Sequence, residues 1–182
     1  MEDQKMKYFF LAGTLALAPI PAFAEIDLDA AAARVAKVDF TTSGKQAFLE
    51  ETQWLHEVVS PAAFVIFTRI DPSLEEYVPD FSWNDAYEEA HGCIFDGLNA
   101  KGALEEANLL AENSIKSLAL IQKNTDLTFA TLGEYPEYLE LMVPQSNYVQ
   151  LAQDCNLMSL NADASTESGI WDAIKAISEK SQ

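Results

Sequence analysis

Glu88 and His91 stand three residues apart in a stretch that reads as helix, so a carboxylate and an imidazole share one shoulder of it. Di-iron carboxylate bundles use that E-x-x-H spacing twice, with two further carboxylates from other helices. The chain has 2 histidines in all. The other, His56, has Gln53 at the matching position, so no second copy forms. The metal reading is then a single zinc or copper ion held by His56, Glu88 and His91, with the helix of His56 lying alongside. The competing reading is a half-exposed histidine beside a helical carboxylate, which needs no ligand.

Asn161, Asp163, Ser165 and Glu167 alternate as oxygen donors, with Asp172 at the twelfth place, in the outline of a calcium loop. Thr166 stands where such loops place Gly, and Asp172 where they place Glu. A solvated polar turn capping the last helix accounts for the same residues. Other chemistry is scarce. There is no G-x-S-x-G, no glycine-rich phosphate loop and no C-x-x-C-H for covalent haem. Paired carboxylates carry no specificity in so acidic a chain. The residues give no catalytic machinery and call for no cofactor.

The two cysteines, Cys93 and Cys155, are far apart in sequence, unlike the C-x-x-C of a redox-active pair. In an oxidising compartment they read as one disulfide. Closing a loop of this length stabilises a fold by about 4 kcal/mol on chain-entropy grounds.

The elements that must position these groups centre on Trp83 to Lys123. From Trp83 to Leu98 the residues Trp83, Ala86, Tyr87, Ala90, Ile94 and Leu98 fall on one face at helical spacing, opposite Asp85, Glu88, Glu89 and Asp96. Ser82 stands where an N-cap belongs. Asn99 to Gly102 makes a break, and Ala103 to Lys123 a second helix burying Leu104, Ala107, Ala111, Ile115 and Leu118. A short loop between two such helices predicts an antiparallel hairpin.

Around it, Asp29–Val38, Gly44–Val59 and Ala62–Ile70 read as helices, with Thr41, Thr42 and Ser43 between the first two and Ser60-Pro61 starting the third. Ser73–Tyr77 reads as a single turn between prolines. Pro136–Met142, Asn147–Leu160 and Gly169–Ser178 read as further helices, with Cys155 on an inward face and Asn161–Glu167 as a loop. The fold class is all-α: an irregular multi-helix bundle around a central antiparallel helical hairpin, with one disulfide.

Tyr8 to Ala18 is an apolar run ahead of Ala22-Phe23-Ala24, a small-x-small cleavage pattern. Residues 1–24 thus read as a cleaved signal peptide and 25–182 as a single helical domain, periplasmic or secreted. The net charge is −18. That argues against nucleic acid, which needs a basic stripe, and against an anionic membrane surface once the signal is removed. Between Arg69 and Lys101 lie Asp71, Glu75, Glu76, Asp80, Asp85, Glu88, Glu89 and Asp96 with no Lys or Arg among them. Aromatics (Tyr77, Phe81, Trp83, Tyr135, Tyr138) interleave with acid there and further on. Such a face steers a basic partner toward itself, although plain solubility also explains acid. The expectation is an acidic binding or inhibitor-like module for a basic exported protein, docking through Asp71, Glu75, Glu76, Asp80, Asp85, Glu88 and Glu89. A cation-binding helical protein, or an enzyme of unrecognised type, is the alternative.

Overall fold

A computed structural model describes residues 26–141 and 145–180. The signal-peptide reading of residues 1–24 and the end of the helix expected at Pro136–Met142 lie outside them. The described residues are helical, with no strand among them.

Helix α1 (Leu28–Val35) opens on Asp27, whose carboxylate accepts the Ala30 N–H at 3.0 Å. Helix α2 (Phe40–Trp54) is capped by Asp39 and broken at Gly44, whose φ of 81° no side-chain-bearing residue adopts cheaply. Thr41, Thr42 and Ser43 are therefore a first turn rather than a separating loop. Asp39 also accepts from the Asn108 amide at 3.0 Å, and Asn108 accepts the Phe40 N–H at 2.9 Å. The Thr41 hydroxyl first, then the Asn108 amide and the Thr41 N–H, all donating to Asp39, keep its carboxyl below the usual range.

After Trp54 the helix widens into a π-helical turn, Leu55–Val59, and continues as α3 (Ser60–Ala63). Pro61 explains the change of pitch. It lacks the N–H that would reach Glu57, and its ring crowds that carbonyl. The preceding turn opens, and Ser60 donates its N–H to Leu55, five residues back. Ser60-Pro61 thus re-registers a continuing helix instead of starting a free one.

Helix α4 (Val65–Thr68) is followed by a 3₁₀ helix, Pro72–Tyr77. Helix α5 (Asp85–Lys101) begins two residues later than the sequence suggests. Asn84, not Ser82, is its cap and accepts the N–H groups of Ala86 at 3.0 Å and Tyr87 at 3.2 Å. Ser82 instead donates its N–H to Asp80. The helix closes as expected on Gly102, left-handed at φ 63°, with Ala103 donating back to Leu98 at 2.9 Å.

Helix α6 (Glu105–Lys123) follows after that turn. Carbonyls in its last turn and just beyond are gathered by Arg69, which donates to Ile121, Asn124 and Leu127, each at 2.9 Å. The turn between α5 and α6 is as expected, but their packing is not. Most of α5 lies against α2 and against α8 (Ser146–Asp154), while α6 lies chiefly against α1 and then α7 (Pro136–Leu141). The α5–α8 seam explains this. Gly97 sits against Leu151 so closely that a Cβ there would overlap the leucine side chain, and Cys93 is bonded to Cys155, with Cα atoms 5.8 Å apart. Cys155 is buried and faces inward, as expected, while Cys93 is on the exposed flank of α5.

A 3₁₀ helix (Phe129–Glu134) and α7 (Pro136–Leu141) precede α8. Glu106 of α6 caps α8 from outside, accepting the Tyr148 N–H at 2.9 Å and the Asn147 amide at 2.6 Å. The single helix expected over Asn147–Leu160 is two. Asn156, at φ 66°, turns the chain, and α9 (Leu157–Ser168) runs on through the expected loop. Gly169 then turns into α10 (Ile170–Lys180).

Most buried side chains form one cluster, including Phe40, Phe48, Tyr87, Ile94, Leu98 and Leu118. A smaller one (Ile66, Ile121, Leu127, Tyr138) surrounds the C-terminus of α6. Glu51 is the buried carboxylate of the main cluster, 3% exposed, paired with Arg34 at 2.8 Å.

Candidate functional site: two faces of helix α5

Tyr87 and His91, four residues apart on α5, form a ridge that Trp83, just ahead of the helix, continues by stacking on both rings. His56 is brought opposite that ridge by the π-helical turn. Its ring lies 4.1 Å from the Tyr87 ring, 5.8 Å from Trp83 and 5.9 Å from Phe81, between centroids. Trp83 stacks on His91 at 5.2 Å, and Phe48 reaches His91 at 6.3 Å from the core side. Both histidines are thus set among aromatic rings.

Both also line one cavity of about 360 Å³. Its apolar wall is Leu55, Leu110, Val149, Ala152, Leu157 and Met158, with Tyr148 beside them. Its polar atoms belong to Thr52, Ser60, Ser114, Asn161 and the two imidazoles. Met158, 49% exposed, and the exposed Asn161 mark where it meets solvent. No Asp, Glu, Lys or Arg is among its described lining residues.

His91 is 6% exposed. Burial lowers its pKa to about 4, with a smaller contribution from His56 in the same direction. The pKa of His56 is lowered too, by burial against the opposing charges of Glu57 and Asp80. Both are neutral imidazoles at neutral pH. Each has one sealed nitrogen without a hydrogen-bond partner, Nε2 of His56 and Nδ1 of His91. Burial likewise raises the Tyr148 phenol.

Three residues along α5, on its outer face, the chemistry inverts. Asp85, Glu88, Glu89 and Asp96 line a depression of about 550 Å³ with Lys45, whose ammonium pairs with Asp96 at 2.7 Å. Glu88 belongs here, exposed and turned from the imidazoles. The trio of His56, Glu88 and His91 therefore does not converge. His56 and His91 share the cavity and Glu88 is outside it. His91 is also buried, not half-exposed beside Glu88. Among the described residues no group of three or more His, Cys, Asp or Glu side chains is placed to hold a metal ion.

The seven acids expected to form a docking face are divided. Asp85, Glu88 and Glu89 line the outer depression. Asp80 lines a different one, of about 490 Å³, together with Asp163 and Glu167. Asp71, Glu75 and Glu76 belong to the 3₁₀ segment after α4, where Asp71 accepts the Ser73 N–H at 2.9 Å. Backbone and hydroxyl hydrogen bonds keep Asp71 and Asp80 below the usual carboxylate range.

The run proposed as a calcium loop is helix. Ser165 Oγ donates to the Asn161 carbonyl at 2.9 Å and Thr166 Oγ to that of Ala162 at 2.8 Å. The alternating oxygens are spread around α9 instead of wrapping a centre.

Sequence reasoning missed the cavity because it treated His91 as a polar residue of the outer shoulder. The signal was present: Trp83, Tyr87, His91 and Phe95 recur at i, i+4, and Phe95 is buried as well. Comparison of the chain with protein families, curated proteins and solved structures finds no match.

Proposed function

We propose that this chain is an exported binding protein that engages a basic protein partner through its acidic outer surface. The observation that carries the reading is the state of the carboxylates. Glu75, Glu76, Asp80, Asp85, Glu88 and Glu89 are exposed, and none is in the ion pairs formed among the described residues. Unopposed charge at a surface raises the encounter rate with an oppositely charged partner and sets its orientation. Three of these acids line the same depression on α5, which gives the attraction a shaped place to act.

The disulfide supports export, since such bonds persist in oxidising compartments. Among the described residues no helix is long and apolar enough to cross a membrane. Residues 1–24 as a cleaved signal peptide and 25–182 as one helical domain complete the proposal.

The test is retention of basic proteins from an export-compartment extract on the immobilised protein. It is run at about 20 mM and about 500 mM salt, which span weak to near-complete screening of surface charge. A basic protein held at low salt, released at high salt and lost with Asp85→Asn, Glu88→Gln and Glu89→Gln together supports the reading. Retention of none, or retention indifferent to that triple variant, contradicts it.

A further inference from the structure

We propose that the cavity enclosed by the end of α2 with its π-helical turn, α5, α6, α8 and α9 is a binding site for a neutral, largely apolar small molecule bearing a hydrogen-bond acceptor, held by His56 and His91.

Four observations carry this. The first is size: about 360 Å³ lies within the range of small-ligand sites, about 300–1,000 Å³. The second is charge. The chain carries −18, yet no charged residue is among the described lining. A charged ligand would enter without a counter-ion, and burying an unpaired charge is strongly unfavourable.

The third is the direction of the polar groups. Thr52, Ser60 and Ser114 donate their hydroxyl hydrogens to backbone carbonyls of their own helices, Phe48 at 2.9 Å, Leu55 at 3.2 Å and Leu110 at 2.9 Å. The donors left for an occupant are therefore on the imidazoles, Asn161 and the Tyr148 phenol. Each imidazole has one sealed, unpartnered nitrogen. With each sealed nitrogen taken as the bare acceptor of a neutral imidazole, the N–H is on the other nitrogen, Nδ1 of His56 and Nε2 of His91. Neutral donors along an uncharged wall select a carbonyl-like acceptor.

The fourth is construction. His91 is 94% buried, as its 6% exposure states, and His56 is set by a π-helical turn that Pro61 imposes. Such turns recur at functional sites, and here one re-aims an imidazole toward the ridge of Trp83, Tyr87 and His91.

The experiment uses the untagged mature chain, residues 25–182, and a neutral naphthyl ketone, 6-propionyl-2-dimethylaminonaphthalene. Its emission reports both apolar surroundings and hydrogen bonds to its carbonyl. The comparison probe is the anion 5-dimethylaminonaphthalene-1-sulfonate. The expected result is saturable one-to-one binding of the ketone, at least about tenfold weaker binding of the sulfonate because of its unpaired charge, and loss of binding in Ser114→Phe. Trp171→Ala, which alters the half-exposed aromatic cluster of Phe67, Phe129 and Trp171 outside the cavity lining, leaves binding unchanged. Independently of any variant, ketone binding to the unaltered chain shifts both imidazole Hε1 resonances, which the 2 histidines make assignable. Absence of saturable binding, equal affinity for the sulfonate, binding abolished by Trp171→Ala, or imidazole resonances that stay in place at saturation overturns the proposal.

Discussion

Glu88 and His91 are one helical turn apart and live in different media. On the outer face of α5 four carboxylates and a lysine stand in water, where Asp96 and Lys45 gain little from each other. On the inner face two neutral imidazoles share an uncharged cavity. Sequence spacing alone puts Glu88 and His91 on one shoulder. The depth of the seam with α2, α8 and α9 decides which side of that shoulder is wet. One helix thus presents a charged surface suited to a macromolecule and, behind it, an uncharged space suited to a small neutral one.

The largest effect expected is on the bond that holds this seam. Cys93 and Cys155 are 62 residues apart, and opening that loop in the unfolded chain removes about 4 kcal/mol of stability. Denaturant midpoints of the native protein and of Cys93→Ser/Cys155→Ser check it. A difference below about 1 kcal/mol would mean that packing around Gly97 and Leu151 alone sets the seam.

Next comes the inner histidine. His91 has a folded pKa of about 4 against an ordinary value of 6.5. Above pH 6.5 it is neutral in folded and unfolded chains and contributes no pH dependence. Between pH 6.5 and 4 the unfolded chain takes the proton and the folded chain does not, so stability falls as pH falls, by about 3 kcal/mol in all. His56 acts in the same direction. The lowered carboxyl pKa of Asp39, Asp71 and Asp80 brings its own loss only below about 3.8, outside that window. Urea unfolding at several pH values should show His91→Phe flattening the decline relative to the unaltered protein. Glu88→Gln on the outer face should leave it unchanged within about 0.5 kcal/mol.

Smaller still is the seam contact itself. Gly97→Ala drives a methyl into Leu151 and should lower stability by about 1–3 kcal/mol, as overpacking does. The smallest is Lys45→Ala, which breaks an ion pair between side chains 42% and 65% exposed and should change stability by less than about 1 kcal/mol. Thermal melts of the two variants rank them. A reversed order would mean that the outer face contributes more to the fold than the seam does.

The features legible in the sequence were those set within a few residues. Gly102 ends α5 because its αL conformation is a local demand, and Cys93 and Cys155 pair because no other cysteine competes. All-α architecture follows from helical spacing repeated along the chain. What escaped depends on neighbours distant in sequence. Asn156 looked like one residue in a continuous helix until α8 and α9 had to turn around Cys155. Ala162 and Ala164 keep the polar Asn161–Glu167 run helical, aided by Ser165 and Thr166 bonding back one turn. Ala86, placed on the apolar face by the wheel, is exposed, while His91, placed outside, is buried. That exchange rotates the buried stripe of α5 toward His56 and creates the cavity.

The measurement that bears most directly on the two-faced helix is an NMR titration of the two imidazole Hε1 resonances from pH 8 to pH 3.5, with Glu88→Gln run in parallel. The account predicts that both resonances titrate below 6.5, His91 at about 4, and that Glu88→Gln leaves the His91 curve in place. A His91 that titrates at or above 6.5, with a midpoint that drops when Glu88 is neutralised, would put the two side chains back on one wet shoulder and contradict it.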